Sequence, residues 1–150
     1  MEMDKIIQFL NEKIISGNWQ NTDLTALENN FLETYQPHKR LIIYGSLAPN
    51  APNHHIVEHI KGSWQQGIVR GKLFQYGWGV DLGYYAFKHV PVEEQTDINA
   101  FVLISDELAN NWDYLDDFEG DGYKRILAKY ELNDGQIGVG NIYAMNEKGI

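Results

Sequence analysis

Ile6, Ile7, Leu10, Ile14 and Ile15 recur at helical spacing, and Gly17 ends the run. A second helix is expected from about Thr22 or Asp23, with Leu24, Leu27, Phe31, Leu32 and Tyr35 on one face, and Pro37 closes it. Residues 1–39 therefore read as an N-terminal helical hairpin. Amphipathic helices usually bury their stripe on their own chain, which favours packing on the remainder over a partner-binding role. A homo-oligomer joined through these helices is the alternative.

From residue 40 to residue 150 the pattern changes to short apolar runs separated by turns. Leu41–Tyr44 is a continuous run of the kind buried on both faces. Ile68–Tyr76 is a weaker strand, loosened by Gly67, Gly71 and Gly77, and Ala100–Ser105 is another buried run. A helix is predicted from Asp106, as N-cap, to about Phe118, with Leu108, Trp112 and Leu115 inward. The chain closes with a hairpin: Ile126–Leu132, a turn at Asn133-Asp134-Gly135, then Ile137–Ala144. Between Tyr76 and Asn99, glycine and aromatic residues give no clear period. Short strands with one internal helix imply an α+β fold, its antiparallel or mixed sheet curling toward a small β-barrel.

Composition narrows the function classes. A chain of 150 residues with 43% hydrophobic and 13% aromatic content is globular and can bury a real core. No apolar run approaches the roughly 18 residues of a membrane span, and no leader is expected, since "MEMDKIIQFL" lacks the basic region and small-residue cleavage site of a signal peptide. No membrane association is expected, and the cytoplasm is the expected compartment. The absence of cysteine removes disulfides and thiolate chemistry. A net charge of −9 argues against nucleic acid. It also requires any anionic ligand to be held by local backbone N–H groups or a few selected cations.

Chemistry concentrates in two stretches. In "LIIYGSLAPNAPNHH" (Leu41 to His55) a buried strand breaks into Gly45-Ser46 and a loop. In "WDYLDDFEGDGYKR" (Trp112 to Arg125) the acids Asp113, Asp116, Asp117, Glu119 and Asp121 crowd a helix end. Four of them read as a solvated face. Glu119, beside the helix-stopping Gly120, lies at the negative end of the helix dipole among other acids, which raises its pKa and suits general acid/base work. A calcium loop starting at Asp117 fails, because its twelfth position is Ala128. His55 and His59 share a helical spacing that could serve zinc or nickel, but Ile56 stands where a metalloprotease needs its glutamate, and exposed histidines are the plainer reading. Ser46 lacks the Gly-x-Ser-x-Gly elbow and a nameable base. No metal site is assigned.

Tyr44-Gly45-Ser46-Leu47 after the first strand, Asn53-His54-His55 beyond it, and Leu115, Asp116, Glu119, Gly120, Tyr123 and Arg125 as Leu-Asp-x-x-Glu-Gly-x-x-Tyr-x-Arg are together similar to the gamma-glutamylcyclotransferase-like family. The resemblance covers Leu41 to about Met145. It implies a small mixed β-barrel with flanking helices, whose tyrosine-glycine loop and acidic motif line one cavity. It further implies a cofactor-independent cyclisation of a γ-glutamyl amine or γ-glutamyl amino acid to pyroglutamate. In that scheme Glu119 is the acid/base, and Tyr44, Gly45, Ser46, Leu47 and Tyr123 bind the small γ-glutamyl substrate. One departure is "LGYYAF", where Tyr85 replaces a proline common in the family. A non-catalytic binding module on the same fold is the rival expectation.

Overall fold

The structure, a computed structural model, describes residues 2–17, 24–75 and 85–146. The chain runs α1 (Glu2–Ser16), α2 (Ala26–Tyr35), β1 (Arg40–Ile43), β2 (Ser63–Gln75), β3 (Tyr85–Lys88), β4 (Thr96–Ile104), α3 (Trp112–Glu119), β5 (Tyr123–Leu132) and β6 (Ile137–Met145). Among the described residues the neighbour relations β1–β4, β4–β2, β2–β5, β5–β6 and β6–β1 form a ring, with β3 added between β2 and β6. The β1–β6 pairing is parallel and β5–β6 antiparallel, so the barrel is mixed. Inside it Ile42, Val69, Val102, Ile126 and Ile142 form one buried cluster. A second cluster, on the outside of β1 and β6, joins Leu41, Ile43 and Tyr143 to Trp112 and Leu115 of α3 and to Leu47. Alternation along each strand thus feeds both cores, one residue inward and the next outward.

Closure depends on glycines that the sequence pattern read as weaknesses. β2 is one continuous strand from Ser63, longer than the Ile68–Tyr76 expected; Tyr76 and Gly77 lie outside the described residues. From Ser63 to Gly71 β2 pairs with β4, at Gly67–Val69 it also meets β5, and at Lys72–Gln75 it meets β3. A Cβ on Gly67 would collide with the Glu131 carbonyl and Leu132 Cα, and one on Gly71 with the Phe87 ring. Glycine permits the close backbone approach at a barrel corner, where a side chain would force the strands apart.

The N-terminal helices pack on the barrel. Ile6, Ile7 and Leu10 of α1 and Phe31 of α2 cluster with Leu127 and Val139. Asn11 fills a place that no strand takes: its amide donates to the Leu127 carbonyl (2.9 Å) and its carbonyl accepts from the Leu127 N–H (2.8 Å). The start of α2 differs from expectation. Thr22 and Asp23 lie outside the described residues, and Thr25 is the cap, forming a reciprocal capping box with Glu28. At the other end Gln36 adopts a left-handed conformation before Pro37.

The internal helix is shorter than expected. Ser105, not Asp106, organises the segment: its hydroxyl accepts from the Glu107 N–H (3.0 Å), while Asp106 pairs with Lys39 at the surface. Leu108–Asn110 makes a 3-10 turn, and the Asn111 side chain folds back to the Glu107 carbonyl (2.8 Å). Asparagine competes for backbone partners in this way, delaying the α-helix until Trp112. The helix ends where expected, at Gly120, whose φ of 79° is one that glycine adopts freely. β3 and the first four residues of β4 fall in the stretch that showed no clear period, and the rest of β4 belongs to the expected Ala100–Ser105 run.

Candidate active site

α3 delivers Glu119, β5 delivers Tyr123, and the chain leaving β1 delivers Tyr44 to Leu47. Burial of Trp112 and Leu115 fixes which face of α3 looks at the barrel, and helical spacing puts Asp116 and Glu119 on neighbouring sides of it. Glu119 keeps some accessible surface yet is crowded by protein on most sides. Burial first, and the Asp116 charge second, push its carboxyl up to about 7. The direction agrees with the sequence; the leading cause is burial rather than the helix end.

Tyr44 lies near enough to Glu119 and Tyr123 for both to act on it electrically. Burial is the main reason its phenol is raised well above the ordinary range. Its hydroxyl donates to the Tyr143 carbonyl (2.5 Å) and accepts from the Phe87 N–H (2.9 Å), stitching β6 to β3. Tyr44→Phe should therefore leave two backbone groups without their shared partner and lower stability by about 1–3 kcal/mol. Urea unfolding reads this directly, and an unchanged midpoint would contradict the stitching role.

The rest of the loop divides its work. Leu47 is buried among Leu41, Ile43 and Leu115, so its side chain anchors the turn and only its backbone faces outward chemistry. Ser46 accepts the Asn53 amide at its hydroxyl (3.0 Å) and the Asn53 N–H at its carbonyl (2.8 Å). A nitrogen of His54 bonds the Leu47 carbonyl (2.9 Å). Among the described residues, the backbone N–H groups of Gly45, Ser46 and Leu47 donate no hydrogen bond. A Cβ on Gly45 would meet no described atom within 4 Å, so packing does not require glycine there. Tyr123 Oη donates to the Tyr85 carbonyl (3.1 Å), tying the start of β5 to the start of β3 at the position where the family's proline is replaced. Gly83 and Tyr84 of that segment lie outside the described residues.

Several roles were not legible in the sequence. Asn53 and His54, noted only as a pair, brace the loop from beneath. Asp116 and Arg125, noted as motif letters, form a two-pronged ion pair (2.9 and 3.2 Å), and Tyr143 Oη donates to the same carboxylate (2.7 Å). Aspartate and arginine nine positions apart, one on a helix and one on a strand, carry no local signal for such a pair. The histidines do not assemble: His54–Ile56 is a 3-10 turn, and His59 bonds Asn111 (3.0 Å). No group of three or more His, Asp or Glu among the described residues is arranged to hold a metal ion. A cleft of about 1080 Å³ opens elsewhere, between α1 and strands β3 and β5, and is lined by neither Glu119 nor the Tyr44–Leu47 loop. Among the described residues no helix is long and apolar enough to cross a membrane.

A closed mixed barrel with a glycine loop after its first strand and an acid at the end of its internal helix defines a recognisable class. Residues 41–149 match the family described as "Gamma-glutamyl cyclotransferase, AIG2-like", and the chain belongs to it. Comparison with curated proteins gives no match. Among solved structures, an AIG2-like protein from Mus musculus aligns with a TM-score of 0.56 at 19% identity, covering 71% of this chain and 76% of that one. YkqA from Bacillus subtilis aligns at 0.54 and 28% identity, over 72% of this chain but only 36% of its own. The Arabidopsis thaliana protein At5g39720.1 aligns at 0.51 and 23%, over 73% and 69%. These likenesses agree with the barrel, and family membership supports a cyclotransferase-type function in general.

Proposed function

We propose that the protein cyclises a γ-glutamyl amine or γ-glutamyl amino acid to pyroglutamate, releasing the free amine, with Glu119 as acid/base. The observation that carries this reading is the meeting of the two motif segments: Glu119 stands close enough to Tyr44 for its charge to raise the phenol's pKa. The substrate's α-nitrogen attacks its own γ-carbonyl carbon, forming one C–N bond, and the bond from that carbon to the departing nitrogen breaks. The α-ammonium sheds two protons in becoming a lactam N–H, and the leaving nitrogen gains two in becoming an ammonium. Glu119 takes a proton from the first nitrogen and returns one to the second, the remaining transfer passing through solvent.

An intramolecular attack asks little of the protein beyond folding the substrate, moving protons and stabilising charge on the carbonyl oxygen. A carboxyl held near 7 is matched to that task at neutral pH. The undirected N–H groups of Gly45, Ser46 and Leu47 supply donors for the anionic head, which a chain of net charge −9 would otherwise repel. Gly45 leaves room for that approach, and Tyr123 flanks it. Incubation with γ-glutamyl amines and γ-glutamyl amino acids, read by mass spectrometry, should yield pyroglutamate and the free amine from at least one substrate. Absence of product across both classes would count against the proposal.

A further inference from the structure

We propose that Asp116 is a positioning residue for Glu119: it locks the last turn of α3 onto β5 and β6 and supplies a fixed negative charge one helical turn from the acid. This rests on the reading of Glu119 as the acid/base. α3 has eight residues, too few to hold its own orientation, and its buried residues Trp112 and Leu115 both precede Asp116. Beyond them the helix is tethered by the Asp116 carboxylate, which accepts Arg125 Nε and Nη2 and the Tyr143 hydroxyl at once. Arg125 is itself fixed from three sides. Besides the Asp116 carboxylate, its Nη1 meets Asn141 Oδ1 as donor (3.2 Å) and its guanidinium lies 4.4 Å from the Trp112 ring centroid; Asn141 in turn donates to the Pro37 carbonyl (2.8 Å). A chain of contacts therefore runs from the turn before β1, through β6 and β5, to the residue three positions before Glu119.

An ordinary structural staple would explain the ion pair but not its exposure. The Asp116 side chain is 41% exposed, and pairs that open to solvent contribute little to stability. Its value lies instead in orientation and charge. Among the described residues, the phenols of Tyr44 and Tyr143, uncharged near neutral pH, lie near Glu119, Tyr123 lies near Tyr44, and the Arg125 guanidinium is paired with Asp116. Asp113, Asp117 and Asp121 are exposed and screened by water. Replacing Asp116 by asparagine removes the nearby negative charge and leaves Arg125 uncompensated, and both changes ease ionisation of Glu119.

The test compares full-length wild type with Asp116→Asn. Glu119 is followed by ¹³C NMR titration, with Glu119→Gln providing the assignment, and turnover of a γ-glutamyl amine is followed against pH. The Glu119 midpoint should fall by about one pH unit, kcat by about 100-fold as the acid loses its alignment, and KM and thermal midpoint should change little. Arg125→Lys separates the two parts, because it keeps the cation but cannot grip both carboxylate oxygens: kcat should fall while the Glu119 midpoint stays. An unmoved Glu119 midpoint in Asp116→Asn, or an unchanged kcat in either variant, overturns the proposal. Should Asp116→Asn not fold, Arg125→Lys alone decides it through kcat. Should wild type release no pyroglutamate, the activity reading fails and the NMR titration still decides the role of Asp116.

Discussion

Glu119→Gln should lower pyroglutamate formation by about 10³-fold, the range expected for loss of a positioned acid/base, while leaving the barrel folded. Glutamine keeps the size and polarity of the side chain but can neither accept nor return a proton. The wild-type rate should rise with pH through about 7, where the carboxyl ionises and becomes able to take the α-ammonium proton. Stability should run the other way. The folded carboxyl holds its proton up to about 7 and the unfolded one only to the ordinary 4.5, so between these values the folded state binds more protons. Stability is then lost as pH rises from about 4.5 to 7, because ionisation must occur in a crowded position beside the Asp116 charge. Glu119→Gln removes that penalty: its thermal midpoint should match wild type below pH 4.5 and exceed it above 7. A variant that retains full activity, or one whose midpoint tracks wild type at every pH, would contradict the assignment.

The largest structural effect is expected at Gly67. Its backbone lies where β2 meets β5, and a Cβ would press on the Glu131 carbonyl and the Leu132 Cα, neither of which can swing aside as a side-chain tip could. Gly67→Val should separate the two strands at the seam that closes the ring. Overpacking alone typically costs about 1–3 kcal/mol, and lost ladder bonds add to it. Urea or thermal unfolding gives the difference, and hydrogen exchange at Tyr130 to Leu132 should rise selectively. Wild-type stability in this variant would mean that the seam does not hold the barrel shut.

These two positions show where the sequence was legible. Elements with a strong local signature were readable: the stripe of Ile6, Ile7 and Leu10, the Asp134-Gly135 turn, and the buried runs of β1 and β4. Gly67 and Gly71 misled, because glycine lowers strand propensity locally while its benefit comes from chains distant in sequence. Asp106 misled as well, since the cap depended on whether Ser105 or Asp106 took the first free N–H, and Ser105 is held in place by the distant carbonyls of Lys39 and Lys61. At the candidate site, Glu119 and the Tyr44 loop were readable because their spacing follows a known pattern. The supports were not: Asn11 on Leu127, Asp116 on Arg125 and Tyr143, and Asn53 beneath Ser46 become partners only once the barrel closes.

The proposed function requires that the acid of α3 and the backbone donors after β1 meet the same bound molecule. A crystal structure of the protein soaked with pyroglutamate tests it most directly. The lactam nitrogen should lie within hydrogen-bonding distance of the Glu119 carboxylate, and the product's oxygens should rest on the N–H groups of Gly45 to Leu47. Product bound in the cleft beside α1, or a Glu119 carboxylate turned away from a ligand seated on the loop, would contradict it.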